Sequence, residues 1–303
     1  MKEFILWTAA FLSLFLAIFW VLVLYTRLKE KKQLSHPHQK ITILVPAFNE
    51  ESTIARTLQS ILATQYPNLE IIAIDDSSTD STAKIIKKFK NVRFLHNNHR
   101  GIGKSSAVNL GLKYATGEIL GVVDSDSEIA SDVFTHMLPY FQDEKTAAVI
   151  SAIKVKNPRG VYRGLQRIEY MLATYSRILM AKIDTLHVTP GALSLYRTNI
   201  IRQLGGFDEN NLTEDLEIAM RLKYHGYNIK IAGNAVSHTN VPSTFKSLWK
   251  QRVRWFRGFI YNTSKYRKML LSKEHGIMGR FQVPVNFITL AAILVSSTII
   301  LYE

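Results

Sequence analysis

Ile41-Thr42-Ile43-Leu44-Val45-Pro46-Ala47-Phe48-Asn49-Glu50 passes from a β-rich apolar run into a polar turn whose Asn49 can cap a helix reaching about Ala63. The same change recurs downstream. After the Pro67-Asn68 turn, Leu69–Ile74 reads as a second buried strand, and Ser77 to Asp80 caps a helix ending at Lys87-Lys88. Val92–Leu95, Ile119–Val123 and Ala147–Ala152 supply further strands, alternating with helices at Ser105–Tyr114 and Asp132–Phe141. Continuous apolar strands joined by helices predict an α/β fold with a doubly wound, mostly parallel sheet covered on both faces. Ligands of such sheets sit at the carboxyl ends of the strands. Beyond about residue 153 the pattern changes to a long basic helix at Tyr162–Ile183, a second helix at Asn211–Tyr224, and an aromatic, basic stretch at Ser243–Tyr261.

Acidic clusters fall at the expected strand ends. Asp75-Asp76 follow the second strand and Asp124-Ser125-Asp126 the fourth. An Asp after a strand is often only a helix cap, but two clusters converging on one cleft suit a hard cation bridged to phosphates, since Mg²⁺ and Mn²⁺ take oxygen ligands. Lys104 opens a helix after a glycine-containing turn that lacks the Walker spacing; with the helix dipole it could meet a diphosphate. Thr213-Glu214-Asp215 reads as a helix start, and an acid there can also serve as a general base. In Gln251-Arg252-Val253-Arg254-Trp255-Phe256-Arg257-Gly258, the residues Gln251, Arg254, Trp255 and Gly258 share one helix face. The other face, with Phe245, Leu248, Trp249, Arg252, Phe256 and Phe259, suits a membrane surface. Two sequons, Asn211-Leu212-Thr213 and Asn262-Thr263-Ser264, carry no meaning in a cytosolic domain.

The 303 residues hold 38 Lys+Arg against 24 Asp+Glu, a net charge of +14, and no cysteine, which excludes disulfides and thiolate metal sites. Phe4 to Tyr25 is an apolar run of about 22 residues, where roughly 20 span a bilayer as a helix. A cleaved signal peptide is the alternative, but no small-x-small site precedes the following charges. Arg27, Lys29, Lys31, Lys32 and Lys40 follow the run and only Lys2 precedes it, which places the body of the protein in the cytosol. A second apolar run, Val283 to Tyr302, reads as another span, which leaves either a two-span protein or a chain cut short of further spans. The expected organisation is therefore a transmembrane helix at 1–26, a basic linker at 27–40, a cytosolic domain at 41–242, an interfacial helix region at 243–282 and a transmembrane helix at 283–303.

Taken together these segments resemble the membrane-bound family 2 glycosyltransferases, the group with cellulose, chitin, hyaluronan and poly-N-acetylglucosamine synthases. Val45 to Glu50 and Asp75 to Asp80 look like the family's base- and ribose-binding segments, and Asp124-Ser125-Asp126 like its metal-binding Asp-x-Asp. Thr213-Glu214-Asp215 and Gln251 to Trp255 look like its Thr-Glu-Asp and Gln-x-x-Arg-Trp elements, the latter typical of processive members. The resemblance covers residues 41 to 260, with the motifs in family order. It implies a GT-A-like fold, Asp215 as general base and Mg²⁺ or Mn²⁺ on Asp126 with Asp124. It also implies nucleotide-sugar binding by Pro46, Ala47, Asn49, Glu50, Asp75, Asp76, Lys104, Asp124, Gln251 and Arg254. Gly191, Ala192, Glu214 and Trp255 would meet the acceptor. The chain departs from the polymer synthases in having one clear span after the signature, where they usually have several.

The implied activity is inverting transfer from a nucleotide sugar, with UDP as the leaving nucleotide, to a carbohydrate acceptor at the cytosolic membrane face. The alternative is a single addition to a lipid-linked acceptor. The positive charge also suits nucleic acid, but only residues 245 to 257 interleave basic and aromatic side chains, so no nucleic acid partner is expected. A non-catalytic scaffold is disfavoured by the intact acidic motifs.

Overall fold

The computed structural model describes residues 2–26, 39–64, 66–98 and 103–291. The central sheet has eight strands in the order β3-β2-β1-β4-β7-β6-β8-β5. They are β1 (Ile41–Ala47), β2 (Leu69–Asp75), β3 (Arg93–His96), β4 (Ile119–Val122), β5 (Glu128–Ile129), β6 (Thr146–Val155), β7 (Ser194–Arg197) and β8 (Asn228–Thr239). The helices are α1 (Lys2–Tyr25), α2 (Ile54–Leu62), α3 (Thr82–Ile86), α4 (Lys104–Tyr114), α5 (Val133–Met137), α6 (Val161–Lys182), α7 (Thr198–Gln203), α8 (Glu214–Tyr224) and α9 (Phe245–Lys265).

β1 is buried along its whole length and pairs in parallel with both β2 and β4. Its side chains divide by the two-residue period of a strand. Ile41, Ile43, Val45 and Ala47 enter one core layer with Ile54, Leu58 and Ile61 of α2, whereas Leu44 enters the opposite layer with Ala107, Val108 and Leu112 of α4. Ile54, Leu58 and Ile61 stack at helical spacing, and burying each stabilises the fold by about 1.5–3 kcal/mol. The strand order changes direction between β1 and β4, so the crevice at their carboxyl ends is the natural ligand site.

The sheet is mixed, with four of its seven strand pairings parallel. β7 pairs antiparallel with both β4 and β6, and β5 runs antiparallel to β8. The apolar runs disclosed that β1 to β4 and β6 exist, but not that β7 would insert between β4 and β6. β8 was not read from the sequence at all. Its alternation breaks at Gly233-Asn234, where the pairing with β6 shifts register between Ser151 and Ala152.

Local expectations also change. Asn49 does not cap α2. It adopts a left-handed φ of 55°, and its Oδ1 accepts from the Thr79 N–H at 2.8 Å, tying the β1 turn to the β2 turn. α2 starts later, after Thr53. The helix expected at Asp132–Phe141 ends at Met137 and tightens into a 3₁₀ turn, where Pro139 has no N–H to donate.

α1 is a helix of 24 residues whose carboxyl end is held by Lys182, with Nζ donating to Leu24 O at 2.7 Å and Thr26 O at 2.8 Å. A cation there complements the helix dipole. Among the described residues no helix is long and apolar enough to cross a membrane. The side chains of residues 2–6, 8–9 and 12–13 lie outside the described residues, as do the basic linker to residue 38 and the second apolar run beyond residue 291.

Candidate active site

The carboxyl ends of β1 and β2 finish level, with Ala47 opposite Asp75. The turns beyond them are cross-tied: Asp76 N–H donates to Ala47 O at 2.8 Å, and Asn97 Nδ2 donates to Asp76 Oδ1 at 2.7 Å. β4 brings Asp124 to the same edge, where its N–H donates to Gly191 O at 2.8 Å. Gly191 permits this approach because a Cβ there would stand 2.5 Å from both Asp124 Oδ2 and Lys104 Nζ.

These edges, with α6, α8 and α9, enclose a cavity of about 560 Å³. Pro46, Ala47, Glu50, Asp76, Lys104, Asp124, Asp126, Gly191, Ala192, Glu214, Asp215, Gln251, Arg254 and Trp255 line it. Asn49 and Asp75 do not. Asp75 is buried beneath the turn, where Oδ2 accepts from His96 Nδ1 at 2.8 Å, and Asn49 braces the turn from outside.

Charge within the cavity is organised around one lysine. Lys104 Nζ lies 2.5 Å from Asp124 Oδ1 and 2.9 Å from Glu214 Oε1, so it joins the two acidic motifs. Burial opposes its charge, but the two carboxylates outweigh burial and hold the ammonium well above its usual range. Burial likewise works against ionised Glu214, and Lys104 overcomes it, leaving that carboxyl below its ordinary value. At Asp126, Asp215 and Asp76 burial prevails. Burial, then the charges of Asp124 and Glu50, pushes Asp126 up to about 6. Burial, then Glu214, pushes Asp215 up to about 6 against the pull of Lys104. Asp76 is also raised, mainly by burial. Acids perturbed by a named environment inside a cleft mark a functional site.

Among the described residues no group of three or more His, Cys, Asp or Glu is arranged to hold a metal alone. Mg²⁺ or Mn²⁺ shared with substrate phosphates and waters needs only one or two carboxylates. Asp126 and Asp124 fit that requirement, because both are oxygen donors on the cavity wall and Asp126 is buried beside like charges.

α8 and α9 are joined at the base of the cavity. Asn262 is fully buried and donates from Nδ2 to Thr213 Oγ1 at 3.0 Å, while Asn211 Nδ2 donates to Asn262 Oδ1 at 2.8 Å. The two sequon asparagines are thus a structural joint. Gly258 lies against Thr213, with no room there for a Cβ. At the far end, buried Glu217 accepts from Tyr266 Oη at 2.6 Å and Lys265 Nζ at 2.9 Å. Gln251, Arg254 and Trp255 consequently face the cavity, and Arg252 stacks over Trp255 with its guanidinium carbon 4.4 Å from the ring centroid.

Sequence reasoning missed two walls. Glu169, Tyr170, Ala173 and Arg177 of α6 line the cavity, and so do Thr239 and Asn240 at the end of β8. The spacing of Tyr170, Ala173 and Arg177, at i, i+3 and i+7, marks one face of α6 and was the available signal.

The family model described as glycosyl transferase family 2 matches residues 42–205, more than half of the chain. A poly-β-1,6-N-acetyl-D-glucosamine synthase of Staphylococcus epidermidis is 32% identical over 266 residues, covering 82% of this chain and 64% of that protein. The chain therefore spans less than two thirds of the length of the curated relatives it matches. A mannosyltransferase from Pyrobaculum calidifontis, solved with GDP-Man and Mn²⁺, aligns with a TM-score of 0.71 at 22% identity, over 96% of this chain and 83% of that one. S. aureus TarS 1-349, solved with UDP-GlcNAc, aligns with a TM-score of 0.51 at 21% identity, over 68% of this chain and 59% of that one. These likenesses establish a mixed α/β fold of the GT-A type.

Proposed function

This chain belongs to glycosyl transferase family 2, and from that premise we propose that it moves a sugar from a UDP-sugar to a carbohydrate acceptor with inversion, building polysaccharide at the cytosolic face of the cell membrane. One observation carries the reading: Asp215 shares a single cavity with Asp124-Ser125-Asp126 at the switch point of the sheet. A base is thereby set within one substrate's reach of the acids suited to a diphosphate's counter-ion.

Asp215 accepts the proton of an acceptor hydroxyl as that oxygen bonds to the anomeric carbon. The bond from the anomeric carbon to the diphosphate breaks, and the nucleoside diphosphate departs. A carboxyl near 6 is ionised at neutral pH yet basic enough to take the proton. Arg254 offers a planar fork to the diphosphate oxygens, and Trp255 a flat apolar surface to a pyranose. Asp126 and Asp124 would hold Mg²⁺ or Mn²⁺, which when bound neutralises charge on the departing diphosphate. The mannosyltransferase solved with GDP-Man and Mn²⁺ supports the metal, and TarS solved with UDP-GlcNAc supports the donor class.

The membrane setting rests on α1. What supports it is the apolar run Phe4 to Tyr25 that α1 carries, about 22 residues where roughly 20 span a bilayer as a helix. Trp7, Phe11 and Leu14 are exposed on it. Resistance to carbonate extraction tests the anchor, and release by carbonate would contradict it.

Incubating purified protein with a panel of UDP-sugars, UDP-GlcNAc first, tests the activity through UDP release and product mass. The expected result is release from one donor with carbohydrate products of increasing mass. Release from none of them would contradict the reading.

A further inference from the structure

The α6 wall carries polar atoms that the fold itself does not satisfy. Arg177 lines the cavity beside Tyr170 and Ala173, and its Nη1 is buried without a hydrogen-bond partner among the described residues. Gln251, across on α9, lines the same cavity with its Oε1 buried and likewise unpartnered. Leaving a guanidinium N–H and an amide carbonyl out of water without partners is costly, so a ligand that meets both is strongly favoured there. Burial lowers the Arg177 pKa, which agrees with a desolvated side chain.

The two atoms ask for opposite things. Arg177 Nη1 needs an acceptor, and Gln251 Oε1 needs a donor. An ionised phosphate oxygen can meet the first need but not the second. A sugar hydroxyl, or an acetamido group, meets both. The acid that acts on Arg177 points the same way: Asp215 lines the cavity within electrostatic reach of the guanidinium and would repel an anion on that side. Ile153 and Val188 add apolar surface to the cavity, as a sugar ring requires.

We propose that Arg177 is a binding residue of an acceptor subsite, where it donates to a hydroxyl or acetamido oxygen of an uncharged sugar presented to Asp215. This rests on the transferase reading above and adds a residue outside the motifs that carry it. The subsite discriminates between acceptors: it takes neutral carbohydrate and disfavours a phosphate group in the same place.

The test compares wild type with Arg177→Met and Arg177→Gln, using UDP-GlcNAc as donor and short β-1,6-linked N-acetylglucosamine oligosaccharides as acceptor. UDP affinity is measured alongside, as proof of folding and of an intact donor side. Arg177→Met should raise the acceptor KM by about ten- to hundredfold, the range for hydrogen bonds to a charged group, with UDP affinity unchanged. Arg177→Gln, which retains a neutral donor, should recover part of the loss. Unchanged acceptor KM in both variants would overturn the inference, and so would a parallel fall in UDP affinity, which would move Arg177 to the diphosphate. Inhibition of wild type by glucosamine phosphate that Arg177→Met abolishes would also overturn it, by showing an anion site. Wild type that releases no UDP overturns the transferase reading, and this inference with it.

Discussion

Lys104 Nζ stands 2.9 Å from Glu214 Oε1, so the first residue of α4 is ion-paired to the first residue of α8. The same ammonium reaches Asp124 at 2.5 Å. The sequence suggested a diphosphate contact for Lys104, and the residue lines the cavity. What the structure adds is that Lys104 is the internal counter-ion of both acidic motifs.

Lys104→Met should therefore shift the acid limb of the pH–rate profile upward. Lys104 pulls the Asp215 pKa down, so removing it lets burial and Glu214 raise that carboxyl further above 6. A larger share of the enzyme then holds a protonated base at pH 7. An acid limb that stays in place would show that Lys104 does not govern Asp215.

Gly258→Ala should destabilise the protein and slow transfer together. The added methyl meets Thr213 at the start of α8, two residues before Asp215. Overpacking of this kind costs typically about 1–3 kcal/mol, and relief requires α8 and α9 to separate. Thermal unfolding and turnover on one preparation check this. A wild-type Tm with wild-type turnover would mean that the joint tolerates the change.

Transfer should fall in excess EDTA and return with Mg²⁺ or Mn²⁺, and Asp126→Ala should abolish the recovery. Zn²⁺ should restore little, since the donors are oxygen and the chain has no cysteine. Undiminished turnover in EDTA would remove the metal from the account.

The legible parts of the chain were those encoded locally. Ile41–Val45 announced a buried strand through unbroken β-branched and aliphatic residues, and Asp124 and Asp215 announced themselves by their place after a strand and at a helix start. The unread parts depend on distant partners. β7 is a short strand whose identity comes from fitting antiparallel between β4 and β6. Arg177 looked like one basic residue among several on a long helix, and only the packing of α6 distinguishes it. Asn262 read as a sequon with no meaning, yet it is buried at the α8–α9 joint because Asn211 and Thr213 arrive from elsewhere in the chain.

Asp215→Asn tests the central claim most directly, through the pH dependence of transfer, nucleotide affinity and stability. Wild-type kcat/KM should fall as pH drops through about 6, because the base must be ionised. The variant should lose about 10²- to 10⁴-fold in transfer and the limb with it, while binding UDP as wild type does. The stability sign is also fixed. A carboxyl whose folded pKa lies above its unfolded value contributes stability below the unfolded value, and that contribution is lost as pH rises through about 6. Asp215→Asn should thus be more stable than wild type at pH 8, with the gain fading on acidification. Loss of transfer with intact UDP binding and this pH signature is the predicted result; a variant that transfers sugar at the wild-type rate would contradict the account.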